Sequence, residues 1–137
     1  MFYHHTKNKG DLAVLKAKCD LHEKGFLVLN PETEHAPFDI VIYKDFQFKR
    51  IQVKYRELNN GCIELQFRSN YISKGKPVST PVDKKQIDLY CVYCKNTDIC
   101  YYLNPRDFNK SVRLRVKPAK NNQKKGIKYV EDYCIKF

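Results

Sequence analysis

The sequence predicts one domain of the α/β or α+β class, in which a single sheet carries few helices. Two observations predict it: one helical segment precedes a succession of strand-length apolar runs, and the size and composition suit one core. The chain has 137 residues, 42% of them hydrophobic, and a chain of this length buries roughly two thirds of its unfolded surface. We therefore treat 1–137 as one domain, with a core at about 6–103 and an extension at about 104–137.

The first element is a helix over residues 10–25. Leu12, Leu15 and Cys19 recur at helical spacing, with Val14 and Leu21 as further candidates, and Gly25 follows the last turn as a stop signal. The strands are predicted from apolar or alternating runs at 26–30, 38–43, 49–55, 62–67, 88–94, 99–103 and 111–116. The second and third of these runs form a hairpin. The polar, proline-punctuated segment 68–86 has no clear periodicity and is expected to be exposed.

The charge of the chain predicts a polyanionic partner. Lys and Arg number 26 against 15 Asp and Glu, which leaves a net charge of +11, and nucleic acid is the natural candidate for such an excess. We find no apolar run near 18 residues, no amphipathic basic helix and no signal-peptide pattern. We therefore expect a cytoplasmic protein with no membrane partner.

The six cysteines are expected to be reduced and structural, as in most intracellular chains. Only Cys91 and Cys94 have metal-ligand spacing, and a zinc site needs a second pair or nearby histidines. The four histidines lie far upstream. The sequence therefore predicts no structural zinc.

The predicted hairpin places three polar residues on one face. A two-residue turn at Asp45-Phe46 makes the numbers of opposed residues sum to 91 and sets Asp39 opposite Gln52. Lys54 lies one pleat further along the same face. A three-residue turn, the alternative, would shift this register. The pair Asp45-Phe46 lacks the Asn-Gly chemistry that tight hairpins favour.

This constellation indicates a metal-dependent phosphodiesterase site. A carboxylate, an amide oxygen and a backbone carbonyl are hard ligands suited to Mg²⁺ (or Mn²⁺) with a substrate phosphate. The Lys54 ammonium would hold the attacking water and offset charge on the phosphate. The other interpretation is that Gln52, Lys54 and Arg56 are the water-facing side of a half-exposed strand.

Segments 9–29, 37–43, 51–55 and 86–103 together resemble the PD-(D/E)XK nuclease superfamily, and within it the group I intron-associated homing endonucleases. The resemblance implies a restriction-endonuclease-like mixed central sheet flanked by helices, with a basic C-terminal extension. It also implies Mg²⁺-dependent, site-specific cleavage of double-stranded DNA. By position, Asp39 would be the metal-bridging carboxylate, the carbonyl of Val53 would complete the metal site, and Lys54 would be the motif lysine.

Two positions depart from the family pattern. Gln52 replaces the usual acidic residue, which keeps an oxygen ligand but removes a negative charge, so weaker metal binding is expected. The glutamate that relatives carry on the first helix aligns with Val14, which cannot bind metal. Asp11 lies three residues earlier on nearly the same helical face and could act in its place. Alternatively, Asp11 interacts with the positive end of the helix dipole.

Basic segments supply the candidate DNA contacts. Alternating arginines on one side of the 111–116 run would suit a ribbon that enters the major groove, although any of these residues could equally be part of a solvated face. The candidates are Arg68, Lys74, Lys76, Arg113, Arg115 and Lys117. One site cuts one strand, so double-strand cleavage implies a homo-oligomer, a dimer or tetramer.

Two other functions are compatible with the sequence. The first is a catalytically impaired DNA-binding module on the same scaffold, with Val14 as the mark of lost catalysis. The second is a structure-specific junction nuclease, or an RNA-processing enzyme. Cleavage assays on duplex, four-way junction and RNA substrates separate these alternatives.

Overall fold

The computed structural model describes residues 5–116, 127–129, 133 and 135. These residues contain one α-helix, ten strands and two short 3₁₀ turns. The elements are α1 (His5–Glu23), β1 (Leu27–Leu29), β2 (Ile40–Lys44), β3 (Gln47–Arg56), β4 (Cys62–Gln66), β5 (Arg68–Ser73), β6 (Lys76–Pro81), the turn Lys84–Gln86, β7 (Leu89–Cys94), β8 (Ile99–Leu103), the turn Pro105–Asp107, β9 (Ser111–Arg115) and β10 (Lys128–Tyr129).

The main sheet has five strands in the order β1-β2-β3-β7-β8. Strands β3 and β7 run parallel, and the other neighbours are antiparallel. The predicted mixed central sheet is therefore confirmed. A parallel pair needs a long crossover, and residues 57–88, which include β4, β5 and β6, provide it here.

Helix α1 covers one face of this sheet. It begins at His5, five residues before the predicted start, and it ends where Gly25 adopts a φ of 88°. Its buried stripe is Ala13, Ala17 and Leu21, whereas Leu15 is exposed. The predicted stripe was therefore right at Leu21 and wrong at Leu15 and Cys19, which are exposed, because Ala13 and Ala17 form the rest of the buried face.

The opposite face of the main sheet packs against a second, smaller sheet in the order β10-β9-β4. Ile63 and Leu65 of β4 join Val112 and Leu114 of β9 in a core cluster beneath β7 and β8. The described residues therefore place a helix on one face and a sheet on the other, where the resemblance implied flanking helices. Residues 111–115, assigned to the extension, contribute to the core because β9 is the antiparallel partner of β4.

Segment 68–86 is more regular than the sequence indicated. Strands β5 and β6 form a two-stranded hairpin whose turn residues, Lys74 and Gly75, have positive φ angles. The hairpin is largely exposed, as expected. The strands escaped prediction because both faces meet solvent, so that the sequence shows no alternation of apolar and polar residues.

Cys91 and Cys94 cannot share a metal ion. Cys91 belongs to the core cluster beneath α1, and Cys94 belongs to the cluster on the other face of the sheet. The five cysteines within the described ranges are free thiols, and Cys134 lies outside those ranges. Within the same ranges, no helix is long and apolar enough to span a membrane.

An ion pair ties the beginning of β7 to β3. The Asp88 carboxylate accepts hydrogen bonds from the Arg50 backbone N–H at 2.7 Å and from its guanidinium Nε at 2.9 Å. These hydrogen bonds hold the pKa of Asp88 below its usual value of 3.8. Because residue 88 immediately precedes β7, the pair helps to fix the register between two strands that are distant in sequence.

Replacing Asp88 by asparagine is expected to lower the free energy of unfolding by about 1 kcal/mol at pH 7, a value reduced for partial exposure. A lowered pKa in the folded state stabilises the fold above pH 3.8, and this contribution is lost as the pH falls through the folded-state pKa. Urea unfolding of both proteins between pH 7 and pH 2.5 measures the difference. Asp107→Asn, at an exposed aspartate, is the control. A difference that persists undiminished at pH 2.5 would contradict the ion-pair origin.

Candidate active site

The hairpin of β2 and β3 has the predicted register. The five pairs from Ile40 with Ile51 to Lys44 with Gln47 all sum to 91. Asp45 and Phe46 have φ angles of 50° and 66°, and a type I′ turn requires positive φ at both central residues. The two-residue turn is therefore confirmed without the favoured glycine. The register ends at Ile40, so Asp39 lies just before β2 and contacts the 51–53 stretch of β3 through its own hydrogen bonds.

Asp39 is fixed against β3 by two hydrogen bonds. Its backbone N–H donates to the Ile51 carbonyl at 2.9 Å, and its Oδ2 accepts from the Val53 N–H at 2.8 Å. No hydrogen bond reaches Oδ1 from the described part of the chain. Burial raises the pKa of Asp39, while the Val53 hydrogen bond and the charge of Lys54 oppose that shift. One carboxylate oxygen is thus held and the other remains available.

Gln52 and Lys54 lie on the same face of β3, and both are half-buried. Neither makes a hydrogen bond or an ion pair with a residue that the structure describes. Burial lowers the pKa of Lys54, the charge of Arg56 lowers it further, and the charge of Asp39 opposes both. The site therefore holds an unpaired amide and an unpaired ammonium in a partly desolvated place, where electrostatic interactions are stronger than in water.

Arg56 lies near enough to Lys54 for its charge to act on that lysine, but its guanidinium is hydrogen-bonded to backbone carbonyls. Its Nε donates to the Glu64 carbonyl at 3.0 Å, and its Nη1 donates to the Tyr55 carbonyl at 2.7 Å. The first of these bonds ties the end of β3 to β4. Arg56 therefore acts on Lys54 through its charge, from a fixed position.

Tyr90 lies beside the predicted site residues but was not predicted to be one of them. Strand β7 pairs with β3 in parallel, and Tyr90 is the direct partner of Gln52. In the sequence, Tyr90 looks like one more buried residue of an apolar strand. The register of β3 against β7 is the signal that would identify it, and this register joins segments that are far apart in the chain.

Asp11 and Val14 lie on α1, which packs against the other face of the sheet. Asp11 is exposed, and Val14 is half-buried against the core cluster beneath the helix. Within the described ranges, no three His, Cys, Asp or Glu side chains form a group that could hold a metal. Asp11 and Asp39 are thus not part of such a cluster, and a catalytic role for Asp11 stays a prediction.

The predicted DNA contacts fall in two places. Lys74 and Lys76 are exposed at the tip of the β5–β6 hairpin, and the Arg68 guanidinium at its base bonds to Ser79. Arg113 faces outward on β9, opposite Glu64 at 3.7 Å. Arg115 is half-buried on the same outward side. Lys117 lies outside the described residues.

A sequence profile of the PD-(D/E)XK endonuclease family matches residues 4–136. The chain belongs to the PD-(D/E)XK endonuclease family. Its fold is similar to that of a protein described as a bacterial homing endonuclease, I-Ssp6803I, with a TM-score of 0.75 and 18% sequence identity, over 95% of this chain and 88% of that one. At this identity the likeness shows the fold alone. No curated protein matches the chain.

The PD-(D/E)XK letters match residues just before β2 and residues on β3. The first two correspond to Pro37 and Asp39, with Phe38 between them, and the last three correspond to Gln52, Val53 and Lys54. Glutamine stands where the family name has an acidic residue. The hydrogen bonds of Asp39 with Ile51 and Val53 bring the two halves of the motif together.

Proposed function

We propose that this PD-(D/E)XK protein is a Mg²⁺-dependent endonuclease that cleaves double-stranded DNA at a specific site, in the manner of intron homing enzymes. One observation carries the proposal. Asp39 is hydrogen-bonded to β3 on both sides of Gln52, its charge acts on Lys54, and all three side chains are half-buried. The second carboxylate oxygen, the amide and the ammonium have no hydrogen-bond or ion-pair partner among the described residues. Because none of these groups is bonded within the described part of the protein, all three are available to a bound ion or an anionic substrate.

The donor set fits a hard divalent cation. Asp39 Oδ1, the amide oxygen of Gln52 and the carbonyl of Val53 would hold Mg²⁺ (or Mn²⁺), which accepts one carboxylate and completes its shell with water and phosphate. The bound ion would make a water molecule more acidic and offset charge on the phosphate. Gln52 supplies one negative charge fewer than the acidic residue, so the affinity for the metal is expected to be lower.

Lys54 would position the attacking water and neutralise charge that develops on the phosphate. Because the ammonium is partly desolvated and makes no ion pair with a described residue, it is free to interact with an anionic substrate. Its lowered pKa also makes proton release easier than from an exposed lysine. Asp39 would hold its free oxygen in place through the bond from Val53 to Oδ2.

The exposed hairpin of β5 and β6 is a candidate for reading DNA. A two-stranded ribbon fits the major groove, and Lys74 and Lys76 at its tip are placed for phosphate contacts. Arg113 and Arg115 on the outward side of β9 form a second candidate surface. The net charge of +11 supports association with nucleic acid in general.

Lys76→Ala is expected to weaken DNA binding and to make it less dependent on salt. Loss of one phosphate contact reduces the slope of log K against log salt by about 0.9. Fluorescence anisotropy with a cognate duplex in Ca²⁺, at several salt concentrations, measures the slope. Lys18→Ala, on the helix behind the sheet, is the control and should leave the slope unchanged. Equal slopes for Lys76→Ala and the wild type would show that Lys76 makes no phosphate contact in the DNA complex.

The proposed activity is tested with a large pool of random-sequence duplexes. The protein is incubated with the pool and Mg²⁺, and every new DNA end is sequenced. Ends that cluster at one long motif support a site-specific endonuclease. Binding of a defined sequence in Ca²⁺ without any cleavage in Mg²⁺ would overturn the catalytic proposal and leave a DNA-binding module. Cleavage of four-way junctions or RNA alone would overturn the duplex as substrate.

A further inference from the structure

Tyr90 is an exception among the buried tyrosines of the main sheet. Its side chain is 0% exposed, and its hydroxyl has no hydrogen-bond partner within the described ranges. By contrast, the hydroxyls of Tyr93, Tyr101 and Tyr102 donate to Asp98, Thr97 and Asp20. A buried hydroxyl without a partner costs free energy, so its retention needs an explanation.

The position of Tyr90 points to the proposed metal site. Tyr90 is the parallel-strand partner of Gln52, and directly paired residues of neighbouring strands project on the same face. The Phe67 ring packs against the Tyr90 ring edge to face at 5.1 Å between centroids. Burial raises the pKa of Tyr90 to about 12, and the charge of Asp39 acts in the same direction. An ordinary tyrosine hydroxyl, with a pKa of about 10, is already a hydrogen-bond donor at neutral pH.

The side-chain amide of Gln52 can bind a metal in only one of its two orientations, whereas a carboxylate can bind in either. A carboxylate presents two equivalent oxygens, whereas an amide presents one oxygen and one NH₂ group, and only the oxygen can bind a metal. The Gln52 amide has no partner among the described residues that would select one orientation. A neighbouring hydrogen-bond donor would select the orientation in which the oxygen faces that donor.

We propose that Tyr90 is a positioning residue: its hydroxyl, which makes no hydrogen bond with the described residues, donates one to the Gln52 amide oxygen when a cation binds, and so keeps that oxygen directed at the cation. The amide oxygen has two lone pairs, one for the hydroxyl and one for the metal. Partners of this kind orient metal ligands in many sites. This inference rests on the proposed function, because it assumes that Gln52 is a metal ligand.

The test is a double-mutant cycle with Ca²⁺ alone as the probe and metal affinity as the readout. Ca²⁺ titrations are followed by calorimetry and by the rise in melting temperature. Tyr90→Phe is expected to weaken Ca²⁺ binding about 10-fold or more in the wild-type background. In the Gln52→Glu background the same change is expected to weaken it less than about 3-fold, because a carboxylate needs no orientation. Without Ca²⁺, Tyr90→Phe should melt no lower than the wild type.

Tyr93→Phe is the matched control. It removes a hydroxyl from the other face of the same strand, breaks the 2.6 Å bond to Asp98, and should lower the melting temperature without changing the Ca²⁺ affinity. Equal losses for Tyr90→Phe in the wild-type and Gln52→Glu backgrounds, or no loss in either, would overturn the role of Tyr90. A wild-type protein that shows no response to Ca²⁺ would instead overturn the proposed metal site, and the inference with it.

Discussion

Asp39→Asn and Lys54→Met are each expected to reduce the rate of DNA cleavage at least about a hundredfold. The asparagine introduced by the first change keeps an oxygen that accepts the Val53 N–H bond, so the hairpin should remain intact while the site loses its negative charge. The methionine introduced by the second change keeps the apolar stem of the lysine and removes the ammonium. Single-turnover cleavage of a cognate duplex in Mg²⁺ measures the effect.

Stability and binding measurements separate lost chemistry from lost structure. Burial raises the pKa of Asp39, which means that the fold disfavours the charged form. The Asp39→Asn variant, with its neutral side chain, should therefore have a free energy of unfolding no lower than that of the wild type in metal-free buffer. Duplex binding by the Lys54→Met variant, measured in Ca²⁺, should stay within about tenfold of the wild type. Variants that still cleave at wild-type rates would exclude this site as the catalytic centre.

Leu27→Glu is expected to dissociate the proposed homo-oligomer and to convert double-strand cleavage into nicking. Leu27 and Phe48 are 59% and 66% exposed and flank Tyr43, so they form an apolar row across β1, β2 and β3. This row lies on the same sheet face as Gln52. A second copy is the occupant that fits, because cutting two strands requires two sites, and a buried glutamate would destabilise the contact.

Sedimentation and plasmid cleavage check this prediction together. The wild type should sediment as a multiple of one chain and produce linear plasmid, whereas Leu27→Glu should sediment as one chain and produce nicked circles. Leu15→Glu, at a leucine that is 63% exposed on α1, is the control and should behave as the wild type. An unchanged oligomer in Leu27→Glu would place the interface elsewhere.

The most informative site prediction depended on contacts that are close in sequence. An alternating pattern and a two-residue turn were enough to predict the β2–β3 register and to place Gln52 and Lys54 on one face of β3, with Asp39 just before β2. The positive φ of Asp45 and Phe46 shows that tertiary context overrode a weak turn sequence. The assigned roles of these residues stay predictions, as does the replacement of the family's helix glutamate by Asp11.

Local patterns predicted the β2–β3 register, helix α1 with its end just before Gly25, and most strands of the main sheet, because neighbouring residues determine turn geometry and periodicity. Only the tertiary structure decided which helix face is buried, that a small sheet covers the second face, and that Tyr90 lies beside Gln52. The parallel pairing of β3 with β7 joins segments 38 residues apart. Such a pairing depends on the fit of two buried surfaces, and no short stretch of the chain carries that information.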